Sequence, residues 1–423
     1  MLYQKSKLKN GLTLITAPLK ETKAVTVLVL LPVGSRYETP EINGVSHFIE
    51  HLLFKGTKNR PTSLDISKEL DSVGAEYNAF TAKDHTGYYV KITADKMELA
   101  FDVLADMIFN SLFDPKEIDK ERGVIIEEIN MYQDNPLIYL GAMFEQTIYG
   151  DKPLGRLISG PKKVIQKVSR GQILQYKEKF YQPANMVLVV AGGFNGPKAR
   201  KLAQAYFGNR AEKKPRVNFA KLKISQTKPK VNLLFKDTQQ VQIGLGFPAY
   251  SLTDERIYAL YLLAVILGGN MSSRLFTVVR EQHGLAYYIK TDVSAYQDTG
   301  SIVVQAGLDK QRLTQAIGLI LAELNKVRAA GVSYKELKSA KEFLKGKLVL
   351  ELEDSEEVAD WYGKQLLLLD KIYTPQERLK KIFKVSQADI KKVAAEIFRQ
   401  QRINFALIGP FKDKNKFREI LHF

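Results

Sequence analysis

The hydrophobic and polar positions of the chain fall into two series of elements in the same order. In the first, residues 25–38 (VTVLVLLPVGSRYE) alternate as a strand and lead into a helix over about residues 44–54. A hairpin-like pair is expected around His85-Thr86-Gly87-Tyr88-Tyr89, then a helix over 95–112 and a second helix opened by Asp114-Pro115-Lys116-Glu117. The second series has a strand at 241–248 (VQIGLGFP), a helix over 255–269, a pair around Asp298-Thr299-Gly300, a helix over 310–327 and another opened by Ser333-Tyr334-Lys335-Glu336. Thr86-Gly87 and Thr299-Gly300 stand 213 residues apart, and Lys116-Glu117 and Lys335-Glu336 stand 219 apart, a drift that one short insertion explains. The pattern predicts an internally duplicated α+β fold: two homologous domains, each a mainly antiparallel sheet packed with helices. Their expected limits are residues 1–210 and 231–423. A basic linker, 211–230, joins them; its lysines, two prolines and weak periodicity read as a solvated connector.

A length of 423 residues suits two such domains, and 45% hydrophobic residues gives each a core, so disorder is excluded as the general state. The absence of cysteine removes thiolate chemistry, disulfides and iron–sulfur clusters, and leaves imidazole and carboxylate as the ligands for any transition metal. The longest apolar runs, Ala24 to Val33 and Ala259 to Leu267, fall short of the roughly 20 residues that cross a bilayer. The start, MLYQKSKLKNGLTLI, has no apolar stretch of the secretory kind, so the expected location is cytoplasmic. A net charge of +17 raises the question of a polyanionic partner, such as nucleic acid or an anionic membrane surface. The lysines are spread along the chain with no helix-turn-helix, ribonucleoprotein-type or finger pattern, and no specific nucleic-acid partner is expected.

Candidate chemistry lies on the first helix. In His47-Phe48-Ile49-Glu50-His51 the histidines are four residues apart, about 40° around a helix, so both can reach one ion, and Glu50 flanks the same face. H-x-x-E-H is the inverted form of the metalloprotease helix. Five residues alone also fit a chance spacing on a solvated helix. A third ligand must then be a carboxylate, because the chain has only five histidines and no cysteine. On the helix expected over residues 115–132, Glu121 and Glu128 fall on or beside the stripe of Ile118, Ile125, Ile129 and Tyr132, whereas Glu127 points the other way. Burying two carboxylates there costs several kcal/mol unless something positive faces them; a partly solvated stripe edge is the alternative.

One zinc ion per chain satisfies both observations, with His47, His51 and Glu128 as ligands and a fourth position left for water. Glu121 would orient a ligand histidine, and Glu50 would act as the base for attack of the zinc-bound water on a peptide bond. In the second series the corresponding positions are Leu260, Ala264 and Lys347, so that copy lacks the chemistry.

The sequence resembles the pitrilysin/insulinase metallopeptidases, in the half-length branch that includes mitochondrial processing peptidase and its bacterial relatives. GSRYE, HFIEHLLFKGT, NAFTAKDHTGYYVK, ERGVIIEEI, PLGRLISGP, FYQPANMVLVVAGG, LGGNMSSRLF and VREQHGLAYY carry the likeness in order along nearly the whole chain. By this resemblance Asn78, Ala79, Phe80 and Thr81 correspond to the sheet edge that captures substrate as an extended strand, with an ordinary core strand as the alternative. Arg280 and Tyr287 resemble the arginine and tyrosine that reach the substrate and the tetrahedral intermediate; taken alone, Arg280 reads as a surface ion pair. The resemblance implies a zinc metalloendopeptidase that cleaves peptides or unfolded segments inside a closed chamber. Two chains would enclose that chamber, as a homodimer or as a heterodimer with an inactive homologue. The competing expectation is a catalytically silent structural or partner subunit of the same fold. Presequence processing and peptide clearance use the same site residues, which do not separate them.

Overall fold

In the computed structural model, which describes residues 3–210 and 218–423, the first sheet is built from β1 (Gln4–Lys7), β2 (Thr13–Pro18), β3 (Ala24–Leu31), β4 (Glu76–Thr81), β5 (Thr86–Thr93) and β6 (Val187–Gly192). Its order is β1-β2-β6-β3-β5-β4. The second sheet holds β7 (Lys230–Phe235), β8 (Gln240–Ala249), β9 (Ala286–Ala295), β10 (Gly300–Asp309) and β11 (Asn404–Gly409), in the order β7-β11-β8-β10-β9. Without β1 the two orders match strand for strand. Each sheet has a single parallel pair, β2 with β6 and β7 with β11, and is otherwise antiparallel. The fold is thus the duplicated α+β architecture that the two series of elements predict, with β4–β5 and β9–β10 as the repeated hairpins.

The compact units are not linear halves of the chain. The first comprises residues 1–130, 156–220 and 348–375, and the second 131–155, 221–347 and 376–423. Each half therefore contributes one helix to the other half's unit. In the first unit, Val25, Val27, Val29 and Leu31 of β3 face a core shared with the helices Val45–Leu53 and Met97–Asn110. The opposite face of β3 carries Thr26, Leu28 and Leu30, which are buried as well. The helix Ser355–Leu369 lies across β3 and β6 on that face, with Thr26 Oγ1 and Ser355 Oγ hydrogen-bonded at 2.8 Å. The alternating strand expected over residues 25–38 is accordingly corrected: it ends at Leu31, with a short 3-10 turn at Ser35–Tyr37, and a strand covered on both faces is apolar almost throughout.

In the second unit, Val241, Ile243, Leu245 and Phe247 of β8 face the larger core, while the helix Pro136–Tyr149 packs Leu140, Met143 and Phe144 against the other face. Gly244 and Gly246 make room for Phe144: a Cβ at Gly246 would stand 2.2 Å from the Ile302 carbonyl oxygen and 2.7 Å from Phe144 Cζ.

Of the expected linker, residues 211–217 lie outside the described residues. The rest forms no helix or strand before β7, yet it is not simply solvated. Phe219 stacks under the Arg36 guanidinium at 3.6 Å, and Leu222 and Ile224 pack against the cluster around Leu140 and Phe144. No helix among the described residues is long and apolar enough to cross a membrane.

Candidate metal centre

The helix that carries the histidines, Val45–Leu53, begins after Gly44, whose φ of 103° turns the chain into the first turn and whose lack of a side chain leaves the helix without a cap of its own. The cap comes from Glu38. Its buried carboxylate accepts hydrogen bonds from Gly44 N (2.7 Å), Ser46 N (2.8 Å) and Asn43 Nδ2 (2.8 Å). A negative charge at a helix N-terminus is favoured by the exposed amides and by the helix dipole. Burial outweighs those bonds and leaves the Glu38 pKa raised. The second contributing helix, Pro115–Asp134, buries Ile118, Glu121, Ile125 and Ile129 along one stripe, and Glu127 is exposed on the opposite side.

His47, His51 and Glu128 meet between these helices. His47 Nε2 is 3.3 Å from His51 Nε2, and Glu128 Oε2 is 3.5 Å from the first and 3.4 Å from the second. Four ligands placed tetrahedrally at zinc bond lengths of about 2.0–2.2 Å would be about 3.3–3.6 Å apart. The three atoms therefore already have the spacing of a zinc cradle, and the donor set of two imidazoles and one carboxylate suits the ion. They form the single group of three or more potential metal-binding side chains found among the described residues.

The two histidines are held differently. His51 Nδ1 contacts Glu121 Oε2 at 3.2 Å, and the other oxygen of Glu121 pairs with Lys55 Nζ at 2.8 Å. Glu121 is 1% exposed, and two cationic neighbours compensate a carboxylate that would otherwise be costly to bury. Burial pulls the His51 pKa down, but the bonds to Glu121 and Glu128 outweigh it and lift it to about 9. Burial likewise opposes ionisation of Glu121, and His51 and Lys55 prevail, so its pKa is lowered. His47 is pushed down to about 4 by burial, aided by the neighbouring His51. Its Nδ1 is buried with no hydrogen-bond partner among the described residues, so its polar contacts are those of Nε2 with His51 and Glu128.

Glu50 is on the same helix, its pKa raised by burial against the opposing bond from Thr81. Thr81 Oγ1 donates to Glu50 Oε2 at 2.5 Å. Thr81 closes β4, the edge strand of the first sheet, where Asn78 is exposed and Ala79, Phe80 and Thr81 are half-buried. The first unit thus brings together His47, His51, Glu128, Glu121, Glu50 and Thr81. Arg280 and Tyr287 belong to the second unit. Arg280 lies in the π-helix Phe276–Gln282, its guanidinium 4.7 Å from the Phe276 ring centre and 5.8 Å from that of Tyr287, which is exposed on β9. In the corresponding helices of that unit, Leu260 and Ala264 of Ile257–Gly268 are buried among apolar side chains, and Lys347 of Tyr334–Glu351 is exposed.

Sequence reasoning missed Glu38, Lys55 and the Thr81 hydroxyl contact. Lys55, four residues beyond His51, carried a periodicity signal; Glu38 and Thr81 reach the helix only through the path of intervening loops.

Comparison with known proteins shows the family of the chain. Residues 14–162 match the profile of the insulinase family (peptidase family M16), and residues 167–344 match the peptidase M16 inactive domain. An uncharacterized zinc protease of Streptomyces coelicolor is 35% identical over 420 residues, covering 98% of this chain and 91% of the relative. An uncharacterized zinc protease of Bacillus subtilis, YmxG, is 35% identical over 402 residues, covering 95% and 97%. The crystal structure of a protease from Helicobacter pylori superposes with a TM-score of 0.89 at 25% identity, over 97% of this chain and 99% of that one. With near full-length relatives of this similarity and matching profiles across both units, the chain belongs to the insulinase family of peptidases, M16.

Proposed function

We propose that the chain is a zinc-dependent endopeptidase acting on peptides or unfolded segments bound in extended form. The observation that carries this reading is the triangle of His47 Nε2, His51 Nε2 and Glu128 Oε2, with sides of 3.3 to 3.5 Å, beside the Glu50 carboxylate. Those three residues would hold the ion. The chemistry that zinc supplies when bound is Lewis acidity towards a peptide carbonyl and acidification of water to a pKa near about 7.

The chain's own groups do the rest. Glu50 accepts the proton from the attacking water and delivers it to the leaving amine; its burial raises its proton affinity towards that task. Glu121 keeps His51 oriented through Nδ1 and is itself held by Lys55. The open edge of β4 at Asn78–Thr81 offers main-chain donors and acceptors to an extended peptide of any sequence. Arg280 and Tyr287 supply donors to the substrate and to the developing oxyanion. Pairing of two chains around an enclosed chamber follows the family resemblance.

The test is digestion of a mixed peptide library by the wild-type chain, by the wild type with a chelator and by Glu50→Gln, read by mass spectrometry together with zinc content. Cleavage is expected in the first sample alone, with Glu50→Gln keeping its zinc and losing about 10²–10⁴-fold in rate. Undiminished cleavage by Glu50→Gln, or in the presence of the chelator, overturns the reading.

A further inference from the structure

Thr81 stands where the edge of the first sheet meets the carboxylate of Glu50, and two hydrogen-bonding patterns cross in it. Along the hairpin, Ala82 N donates to His85 O at 2.8 Å, which makes that pair a hydrogen-bonded one. In an antiparallel ladder such pairs alternate, so Phe80 with Gly87 and Asn78 with Tyr89 are the next bonded pairs in the register. Tyr77, Ala79 and Thr81 therefore turn their backbone N–H and C=O towards the open side of β4, where no strand follows among the described residues. Ala79 N bears this out: it donates to the Asn78 side-chain oxygen at 2.9 Å, a local partner that a peptide strand can replace.

The side chains of the same alternate residues lie on the face of the histidine helix, where Thr81 Oγ1 donates to Glu50 Oε2 at 2.5 Å. Threonine is branched at Cβ, so its χ1 is restricted and its hydroxyl direction follows the backbone. One residue thus carries both a main-chain docking position and the hydroxyl that fixes the carboxylate.

We propose that Thr81 is a positioning residue for Glu50: its hydroxyl holds the carboxylate in the proton-accepting orientation, and a peptide added to the β4 edge, by fixing the Thr81 backbone, aligns the base as it docks. This inference rests on the peptidase reading and deepens it. It places the link between substrate binding and base alignment in a single side chain, and separates Thr81 from Ala79, whose side chain makes no such contact.

The experiment compares wild type, Thr81→Val and Thr81→Ser with a quenched fluorescent peptide chosen from the cleaved members of the library. Val keeps the branched shape and the edge backbone but lacks the hydroxyl; Ser keeps the hydroxyl. Zinc content and thermal midpoint are measured for each, and the dissociation constant of the same labelled peptide is measured on chelator-stripped protein. Thr81→Val is expected to lose about tenfold to a hundredfold in kcat with zinc content unchanged and peptide affinity within about twofold, and Thr81→Ser to restore most of the rate. A Thr81→Val variant with wild-type kcat overturns the proposal, as does a Thr81→Ser variant as slow as Thr81→Val. Loss of zinc or of fold in Thr81→Val, with Thr81→Ser intact but slow, also counts against it. If no library peptide is cleaved by the zinc-loaded wild type, the peptidase reading falls and takes this inference with it. If cleavage is normal and only the Thr81 variants behave otherwise than expected, the positioning role alone falls.

Discussion

His51 is gripped on both sides of its ring, by Glu121 at Nδ1 and by His47 and Glu128 at Nε2, and it holds a proton up to about pH 9 before any ion enters. Zinc requires the neutral ring, so binding must release that proton. The sign follows: below about pH 9 protons compete, and zinc affinity of the wild type should rise about tenfold per pH unit from pH 6 and level off near 9. His47, pushed down to about 4, adds nothing to the slope over that range. Glu121→Gln should lower zinc affinity by about 10–100-fold and move the plateau to lower pH, because the carboxylate that retains the proton is gone. Competition titration against a chromophoric chelator across this pH range checks both; an affinity independent of pH rules the account out. The spacing of His47 and His51 was legible in the chain because a helix turns by a fixed angle per residue. The partners Glu38 and Thr81 were not, since their contacts depend on where loops bring them.

The helix with the histidines is short, and nothing at Gly44 caps it; its position depends on Glu38, which lies outside it in sequence and reaches back across a turn. The two exchanged helices meet their sheets through glycine in different ways. Gly363 lies on the helix itself, where a Cβ would come within 2.5 Å of Leu30 Cδ1, whereas Gly246 lies in the strand beneath Phe144. The Gly246 position is the less forgiving, because its close neighbour is the Ile302 backbone carbonyl rather than the end of a side chain. Gly246→Val should destabilise the second unit by about 2–3 kcal/mol through overpacking. Urea unfolding measures this, and a variant as stable as wild type disproves the close approach. β3 also shows why the existence of an element was easier to read than its end or its burial: the strand expected over residues 25–38 stops at Leu31. Its apolar run signalled a strand, but the helix that covers its second face is contributed by residues more than 300 positions further along.

The duplication gives two sheets of equivalent connectivity, and among the described residues the one group of side chains that could hold a metal lies on the histidine and glutamate helices of the first unit. The second unit keeps the scaffold, replaces those positions with Leu260, Ala264 and Lys347, and presents Arg280 between Phe276 and Tyr287. If the two units divide the labour, Arg280→Ala should slow peptide cleavage by about 10²–10³-fold while zinc content stays at the wild-type level. Turnover at the wild-type rate would remove Arg280 from the site.

From the residues alone came the repeat, the α+β class, the face shared by His47, Glu50 and His51, and the stripe that carries Glu121 and Glu128. All are periodicities within one element, and a regular backbone converts sequence spacing directly into direction. The packing of the folded chain settled the rest: the meeting of Glu128 with the histidines at 3.4 and 3.5 Å, the Glu38 cap, the Thr81 bond to Glu50 and the exchange of one helix between the halves. The Glu38 cap spans only six to eight residues but depends on the path of the turn between them; the others join segments far apart in the chain, whose approach is set by loop paths and by the need to bury both faces of each sheet, neither of which leaves a local pattern in the sequence.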